Sequence, residues 1–233
     1  MEFLLREELR EPRNYFVILR SIAQGKRKFS EIVNDTGFEK SLLSRYLEIL
    51  CSLGYVEKEI PVTEKRPEKS KLGLYRIRDR YFEFWFRYIL PERSRLEIGK
   101  SSEVLSAIKE TFDQHLSFVF EEVCRQHCLN LMGKNLLRFD AIGRWWEKNA
   151  EIDLVALNRD NREIIFGEVK WSKHPSGLDI LDDLKRKASL VDWNRGKRAE
   201  RFMLFSRSGF TEALQRKARN ENVLLCTLDD IVS

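Results

Sequence analysis

Over the first 80 residues the apolar positions change period. Across 12–24, Phe16, Leu19, Ile22 and Ala23 recur at helical spacing behind Pro12, which suits a first turn, and the pattern closes at Gly25. Ser30 stands where a cap belongs for a second helix through Glu31, Ile32 and Val33, ended by Gly37. A third helix covers about 40–53: Leu43, Leu47 and Leu50 track one face, Lys40, Ser41, Ser44, Arg45 and Glu48 the other, and Gly54 terminates it. From Tyr55 the period drops to two. Residues 55–61 read as a strand, 64–71 as a charged turn containing Pro67, and 72–77 as a returning strand.

Three helices followed by a hairpin is the plan of a winged helix-turn-helix. In that plan the third helix can enter a DNA major groove, so Lys40, Ser41, Ser44 and Arg45 are candidate contacts to phosphates or base edges. Lys65, Arg66, Lys69 and Lys71 at the wing are candidates for the backbone. The same plan also serves as a docking module, and Glu64 and Glu68 dilute the wing's positive charge. Residues 80–90 form the most aromatic stretch. They read either as a stacking platform for single-stranded bases or as an amphipathic helix with Phe82, Trp85, Phe86 and Ile89 at packing positions; the spacing favours packing. Pro91 stops the run, and 91–102 is polar.

The remainder alternates helix and strand patterns. A helix over 106–130 carries Phe112, Leu116, Val119, Val123 and Cys124 on one side. Strand patterns follow at 142–146, 151–157 and 163–170, then a helix at 178–193 with Leu181, Leu184, Ala188 and Val191 as its apolar row. A strand at 201–206, a helix at 211–220 and a last strand at 223–227 complete it. The expected division is 1–90, a winged helix with its aromatic helix; 91–102, a linker; and 103–233, a second domain.

Chemistry concentrates in that second domain. Asp153 interrupts an apolar strand, and the next strand ends in Glu168-Val169-Lys170, where alternation points Glu168 and Lys170 the same way. Two carboxylates on adjacent strands suit a hard cation such as Mg2+ or Mn2+, with Lys170 steadying an attacking water or the charge developing on a phosphate. Glu121, on the preceding helix, is a candidate third carboxylate, and Arg144, Lys173, His174 and Lys185 are candidates to line a nucleic-acid path. The same residues also suit a structural ion-pair cluster.

The order of these elements and the residues Glu121 (in FEEV), Asp153 (in EIDLVAL) and Glu168 with Lys170 (in FGEVKWS) resemble the PD-(D/E)xK nuclease superfamily. The resemblance implies an α/β protein: an N-terminal winged helix-turn-helix domain followed by an αβββαβ restriction-endonuclease-like domain with a mixed sheet. It implies catalysis by Asp153, Glu168 and Lys170, metal held by Asp153, Glu168 and Glu121, and DNA as substrate. REELREPRNYFVILRSIAQG, YRIRDRYFEFWFRYI and GRWWEKNAEIDLVALN are similar to the C-terminal region of a family of archaeal and bacterial ATPases in which an ATPase module precedes a winged helix and a nuclease-like domain. This chain has no G-x-x-x-x-G-K-[ST] phosphate loop, so no ATP site is expected in it; an ATPase is expected as a partner or as a missing module.

Composition adds little. Lysine and arginine number 42 against 37 acidic residues, a net charge of +5 that suits an anionic partner only weakly. No apolar run reaches a membrane span, and Glu2, Arg6, Glu7 and Glu8 break any signal-peptide core, so a cytoplasmic location is expected. Cys124 and Cys128 flank His127 on a helix, which reads as half a zinc site or as small residues on a buried face; no second pair with ligand spacing exists, which favours the face. Three functions follow as expectations: a metal-dependent DNA endonuclease, a non-catalytic winged-helix module that binds DNA or docks on an ATPase, and a transcription regulator resting on the winged helix alone.

Overall fold

A computed structural model describes residues 12–232. The signal-peptide reading and the start of the REELREP stretch fall on residues 1–11, outside the described residues. The chain forms two compact units: the first runs to Ile60 and resumes over Glu68–Glu110, and the second comprises Pro61–Pro67 and the chain from Thr111.

The first unit begins with three helices, α1 (Pro12–Ala23), α2 (Phe29–Thr36) and α3 (Lys40–Ser52). Glu31, not Ser30, closes the start of α2: its carboxylate accepts the N–H groups of Arg27 and Lys28, both at 3.1 Å. The cap N–H and the one before it are satisfied at once. Gly37 ends α2 at φ 69°, a left-handed conformation that glycine adopts without a Cβ clash, and its N–H reaches the Val33 carbonyl. Strands β1 (Val56–Glu59) and β2 (Leu74–Ile77) pair antiparallel from Val56↔Ile77 to Glu59↔Leu74. Lys28 bridges Leu74 on the far side of β2, completing the winged-helix arrangement.

Helix α4 (Arg80–Phe84), capped by the Asp79 carboxylate on the Phe82 N–H, runs on into a π-helical turn, Trp85–Ile89. The aromatic run is core. Phe86 is fully buried with Ile18, Leu19, Ile32, Leu43 and Leu50, and its ring lies 5.0 Å from Trp85 and 5.5 Å from Phe16. The expected linker at 91–102 instead carries helix α5 (Arg93–Glu97) and the start of the next helix, because Arg95 ties Glu92 to Glu103.

Helix α6 (Ser101–Gly133) is 33 residues long, and the boundary between the units falls within it at 110/111 rather than before 103. Five strands follow: β3 (Ala141–Glu147), β4 (Ala150–Asn158), β5 (Glu163–Lys170), β6 (Ala199–Ser206) and β7 (Leu224–Thr227). They form one sheet in chain order, antiparallel through β3–β4–β5 and parallel through β5–β6–β7, so the sheet is mixed. Helices α7 (Leu178–Ala188) and α8 (Glu212–Glu221) make the two parallel crossovers, and α9 (Leu228–Val232) closes the described chain. Helix α7 stops at Ala188, short of the expected 193.

Each sheet face has its own core. Val155, Leu157, Ile164 and Phe166 pack with Leu181, Leu184 and Ala188 of α7. Leu154, Ala156, Ile165 and Val169 pack with Phe120, Cys124 and Cys128 of α6. The buried row of α6 is thus the i, i+4 series Phe120–Cys124–Cys128, while Val123, expected on that face, is exposed. Gly167 sits opposite Leu154 in the β4–β5 register, where a Cβ would approach the Leu154 side chain to 3.0 Å. Val62, from the expected wing, packs on the α7-side core, and its N–H donates to the Arg144 carbonyl at 3.0 Å.

Phe86→Ala is expected to destabilise the first unit by about 3–5 kcal/mol, the cost of a cavity left by a fully buried aromatic ring. Urea unfolding followed by circular dichroism checks this; a loss below about 1 kcal/mol would remove the run from the core.

Candidate functional site

The site grows from a defect in the β4 strand. Gly143 pairs with Val155 and Trp145 with Ile152, so two residues of β4, Asp153 and Leu154, stand opposite one residue of β3, Arg144. This is a β-bulge, which bends a strand and re-aims a side chain. On the other side Leu154 pairs with Gly167, and the next residues along the two strands are Asp153 and Glu168. The Asp153 carboxylate accepts the Val169 N–H at 2.9 Å and so continues the strand pairing through its side chain.

Glu168 lies at the carboxyl end of β5, on the alternation of Ile164 and Phe166 that faces α7. It is 4% exposed. A buried carboxylate needs partners, and two ammonium groups supply them. Lys170 Nζ lies 2.9 Å from one oxygen, and Lys187 Nζ lies 3.1 and 3.2 Å from the two. Lys187 also meets Asp183, one turn earlier on α7, at 3.0 Å. Sequence reasoning did not single out Lys187. Its signal was its place at the edge of the α7 apolar row, between Leu184 and Ala188, where a lysine stem is half-buried whatever its head does.

The electrostatics follow the geometry. The Asp153 carboxyl is pushed up to about 6, first by burial and then by the neighbouring Glu168 charge, against the opposing pull of the Val169 N–H, Arg144 and Lys170. Burial works to lower the Lys187 ammonium, but Glu168 and Asp183 outweigh it and hold it above its ordinary value.

Asp153, Glu168 and Lys170 therefore come together as expected from their strand context, but Glu121 does not join them. Helix α6 packs on the opposite sheet face from the one Glu168 lines, and the Glu121 carboxylate lies 3.7 Å from Arg144 Nε. Among the described residues no three His, Cys, Asp or Glu side chains gather at metal-holding spacing. Arg144 is buried and also pairs with Glu151, so it is a structural cation and not part of an open path. Lys185 is held by Glu221 at 2.6 Å, Lys173 lies 3.5 Å from Asp113, and His174 is exposed in the following loop. Cys124, Cys128 and Cys226 are buried among apolar side chains, and burial pushes all three thiols up, to about 12 for Cys128 and about 11 for Cys226. They act as core residues.

On the helix-turn-helix, Lys40, Ser41 and Arg45 are exposed along α3, while Ser44 is half-buried and donates to Glu48 at 3.4 Å. The wing cations divide: Lys69 and Lys71 belong to the first unit, Lys65 and Arg66 to the second, because Val62 is anchored there. All four are exposed. Among the described residues no helix is long and apolar enough to cross a membrane.

Two stretches of the chain match known families, and the second of them runs across the boundary between the units. Residues 17–58, from α1 through β1, match the family described as bacterial regulatory protein, arsR family. Residues 85–187 match the family described as archaea bacterial proteins of unknown function, and the match includes Asp153, Glu168, Lys170 and Lys187. An uncharacterized protein of Methanocaldococcus jannaschii is 41% identical over 195 residues, covering 82% of this chain and 44% of the relative. The chain thus spans less than half the length of that relative. An O-methyltransferase from neocarzinostatin biosynthesis aligns with 96% of this chain and 69% of its own at 13% identity and a TM-score of 0.26, a score from which no shared fold follows. The chain carries an arsR-type helix-turn-helix near its N-terminal end, and a domain of the archaeal and bacterial family follows it.

The raised Asp153 carboxyl makes a pH-dependent prediction. Between about pH 4 and 6 the folded protein holds a proton that the unfolded chain has released, so stability falls as pH climbs through that window. Asp153→Asn is expected to stabilise the fold by about 1–3 kcal/mol at pH 8 and by almost nothing at pH 4. Paired denaturation curves at the two pH values check this; an equal effect at both would mean that Asp153 titrates normally.

Proposed function

We propose that this protein is a metal-dependent DNA endonuclease of the PD-(D/E)xK type, in which a restriction-endonuclease-like domain is brought to DNA by a winged helix-turn-helix. The observation that carries this reading is the meeting of Asp153, on a bulged strand, with Glu168 and Lys170 at the end of the strand beside it. The arsR-family match to α1–β1 supports DNA as the partner, with Lys40, Ser41 and Arg45 on the exposed side of α3 as its contacts.

The donor set suits a hard divalent cation, Mg2+ or Mn2+. It consists of carboxylate oxygens, and the Glu168 charge that raises the Asp153 carboxyl is a repulsion that a cation relieves. Asp153 and Glu168 would hold it; Glu121, engaged with Arg144, is not needed. When bound, the metal polarises a phosphate oxygen and lowers the pKa of a water. The chain's own residues do the rest. Lys170, at 2.9 Å from Glu168 and 45% exposed at its side chain, is free to lean toward a phosphate and balance the charge that develops on it. Lys187, more buried, keeps Glu168 oriented. The Val169 N–H fixes the Asp153 carboxylate and leaves its other oxygen for a ligand.

A second reading has its own observation. Lys170 and Lys187 already balance Glu168, as they would in a nuclease-derived domain that no longer cuts and serves DNA binding or docking on an ATPase. The ATPase itself, in a longer gene product or a separate chain, is implied by the resemblance of the flanking stretches.

Purified protein is expected to cleave single-stranded, duplex or branched DNA with Mg2+ or Mn2+ and not with EDTA. Asp153→Ala, Glu168→Ala and Lys170→Ala should each lower the rate by about 100-fold or more while remaining folded. Wild-type protein that takes up Mn2+ in a calorimetric titration but cuts none of these substrates would sink the endonuclease reading. Protein that neither cuts nor takes up metal would establish the non-catalytic one.

A further inference from the structure

The carboxyl ends of β5 and β6 are joined beyond the sheet. The two strands are parallel, with Lys170 opposite Ser206, and the Arg207 N–H then donates to the Lys170 carbonyl at 3.0 Å. One residue further, Ser208 Oγ donates to the Ser172 carbonyl at 2.6 Å. Trp171 and Arg207 therefore leave the sheet side by side, directly after the lysine of the candidate site.

Their side chains are built into one another. The Arg207 guanidinium lies over the Trp171 ring, 4.3 Å from its centroid. Phe120 supports the same indole, 5.2 Å away. The indole N–H donates to Asp113 of α6 at 3.3 Å. Asp113 is the only carboxylate within ion-pair reach of Arg207 or Lys173 among the described residues, at 3.9 Å from the first and 3.5 Å from the second. At 3.9 Å the Arg207 contact is loose, and its side chain is 34% exposed. A guanidinium lying on an indole keeps its fork of donors in a fixed plane, the geometry that matches a phosphate. One carboxylate serves two cations here, with Lys170 immediately before them, so the lip carries excess positive charge.

We propose that Arg207, resting over the Trp171 ring and only loosely paired with Asp113, binds a backbone phosphate of the nucleic-acid strand that enters the Asp153–Glu168–Lys170 site. This rests on the reading of that site as one that acts on DNA. Arg207 is a strand-positioning residue, and Lys173 adds a second, weaker phosphate contact. The expected ligand is the sugar-phosphate backbone, with no base preference from this lip.

The test reads binding without chemistry. Full-length protein in EDTA is titrated into a fluorescein-labelled single-stranded oligonucleotide, and anisotropy is followed over a salt series. Arg207→Gln is expected to weaken binding by about 3- to 30-fold and to reduce the slope of log K against log salt by about one, as loss of one phosphate contact does. Arg207→Lys should keep the slope but recover only part of the affinity, because a lysine does not stack on the indole. Unchanged binding by Arg207→Gln, or weaker binding with an unchanged slope in both variants, would overturn the proposal. So would a variant that binds DNA normally but loses affinity for polyglutamate, which would make the lip a docking surface for an acidic protein. Failure of wild-type protein to cut DNA with metal leaves these measurements intact, so the binding inference and the endonuclease reading fail separately.

Discussion

Two carboxylates brought next to each other at the end of a strand pair make a costly interaction in the second unit, and its surroundings offset that cost. Asp153 and Glu168 are adjacent because Leu154 pairs with Gly167. Burial and the neighbouring Glu168 charge together disfavour charge on Asp153. The compensation comes from every side: the Val169 N–H on Asp153, Arg144 across the bulge, Lys170 two residues along β5 and Lys187 from α7. Removing any one leaves the others to hold a buried negative charge.

A cluster that served stability alone has a simpler solution, since apolar residues of similar volume in place of a buried ion network are often neutral or stabilising. This one sits instead at a bulge and at the carboxyl end of a central strand, where the Lys170 side chain is partly exposed. Lys170 is much more exposed than Lys187, although both touch the same Glu168. That asymmetry separates a cation able to meet a substrate from one that orients the carboxylate. The Trp171–Arg207–Asp113 assembly extends the same positive edge one step further from the sheet.

The winged helix was legible almost element by element, because its apolar periods and its terminators, Gly37 and Gly54, are local. Ser30 failed as a cap for an equally local reason: α2 starts at Phe29, so Ser30 lies inside its first turn, and the Glu31 carboxylate takes the N–H groups of Arg27 and Lys28 ahead of it. Residues 91–102 read as a linker because their polar composition hides the Arg95 pairs to Glu92 and Glu103. The wing showed its charges but not its attachment. Val62 alternates like any strand-end residue, yet its N–H belongs to Arg144, and that divides Lys65 and Arg66 from Lys69 and Lys71.

For the site, the sequence alone determined which residues can be neighbours. Asp153 in an apolar strand and Glu168-x-Lys170 at the end of the next are brought together by hairpin pairing, whose period of two is written in the chain. Only the tertiary structure decided the rest. Glu121 meets Arg144 from α6 on the sheet face opposite α7, and Lys187 reaches Glu168 because α7, the crossover between β5 and β6, packs over β5. The one-residue bulge opposite Arg144 has no signature in alternation. Neither does the convergence of Asp113, Trp171 and Arg207, which are up to 94 positions apart along the chain. Contacts of that range depend on how helices pack on a sheet, and a linear pattern records only which face each helix offers.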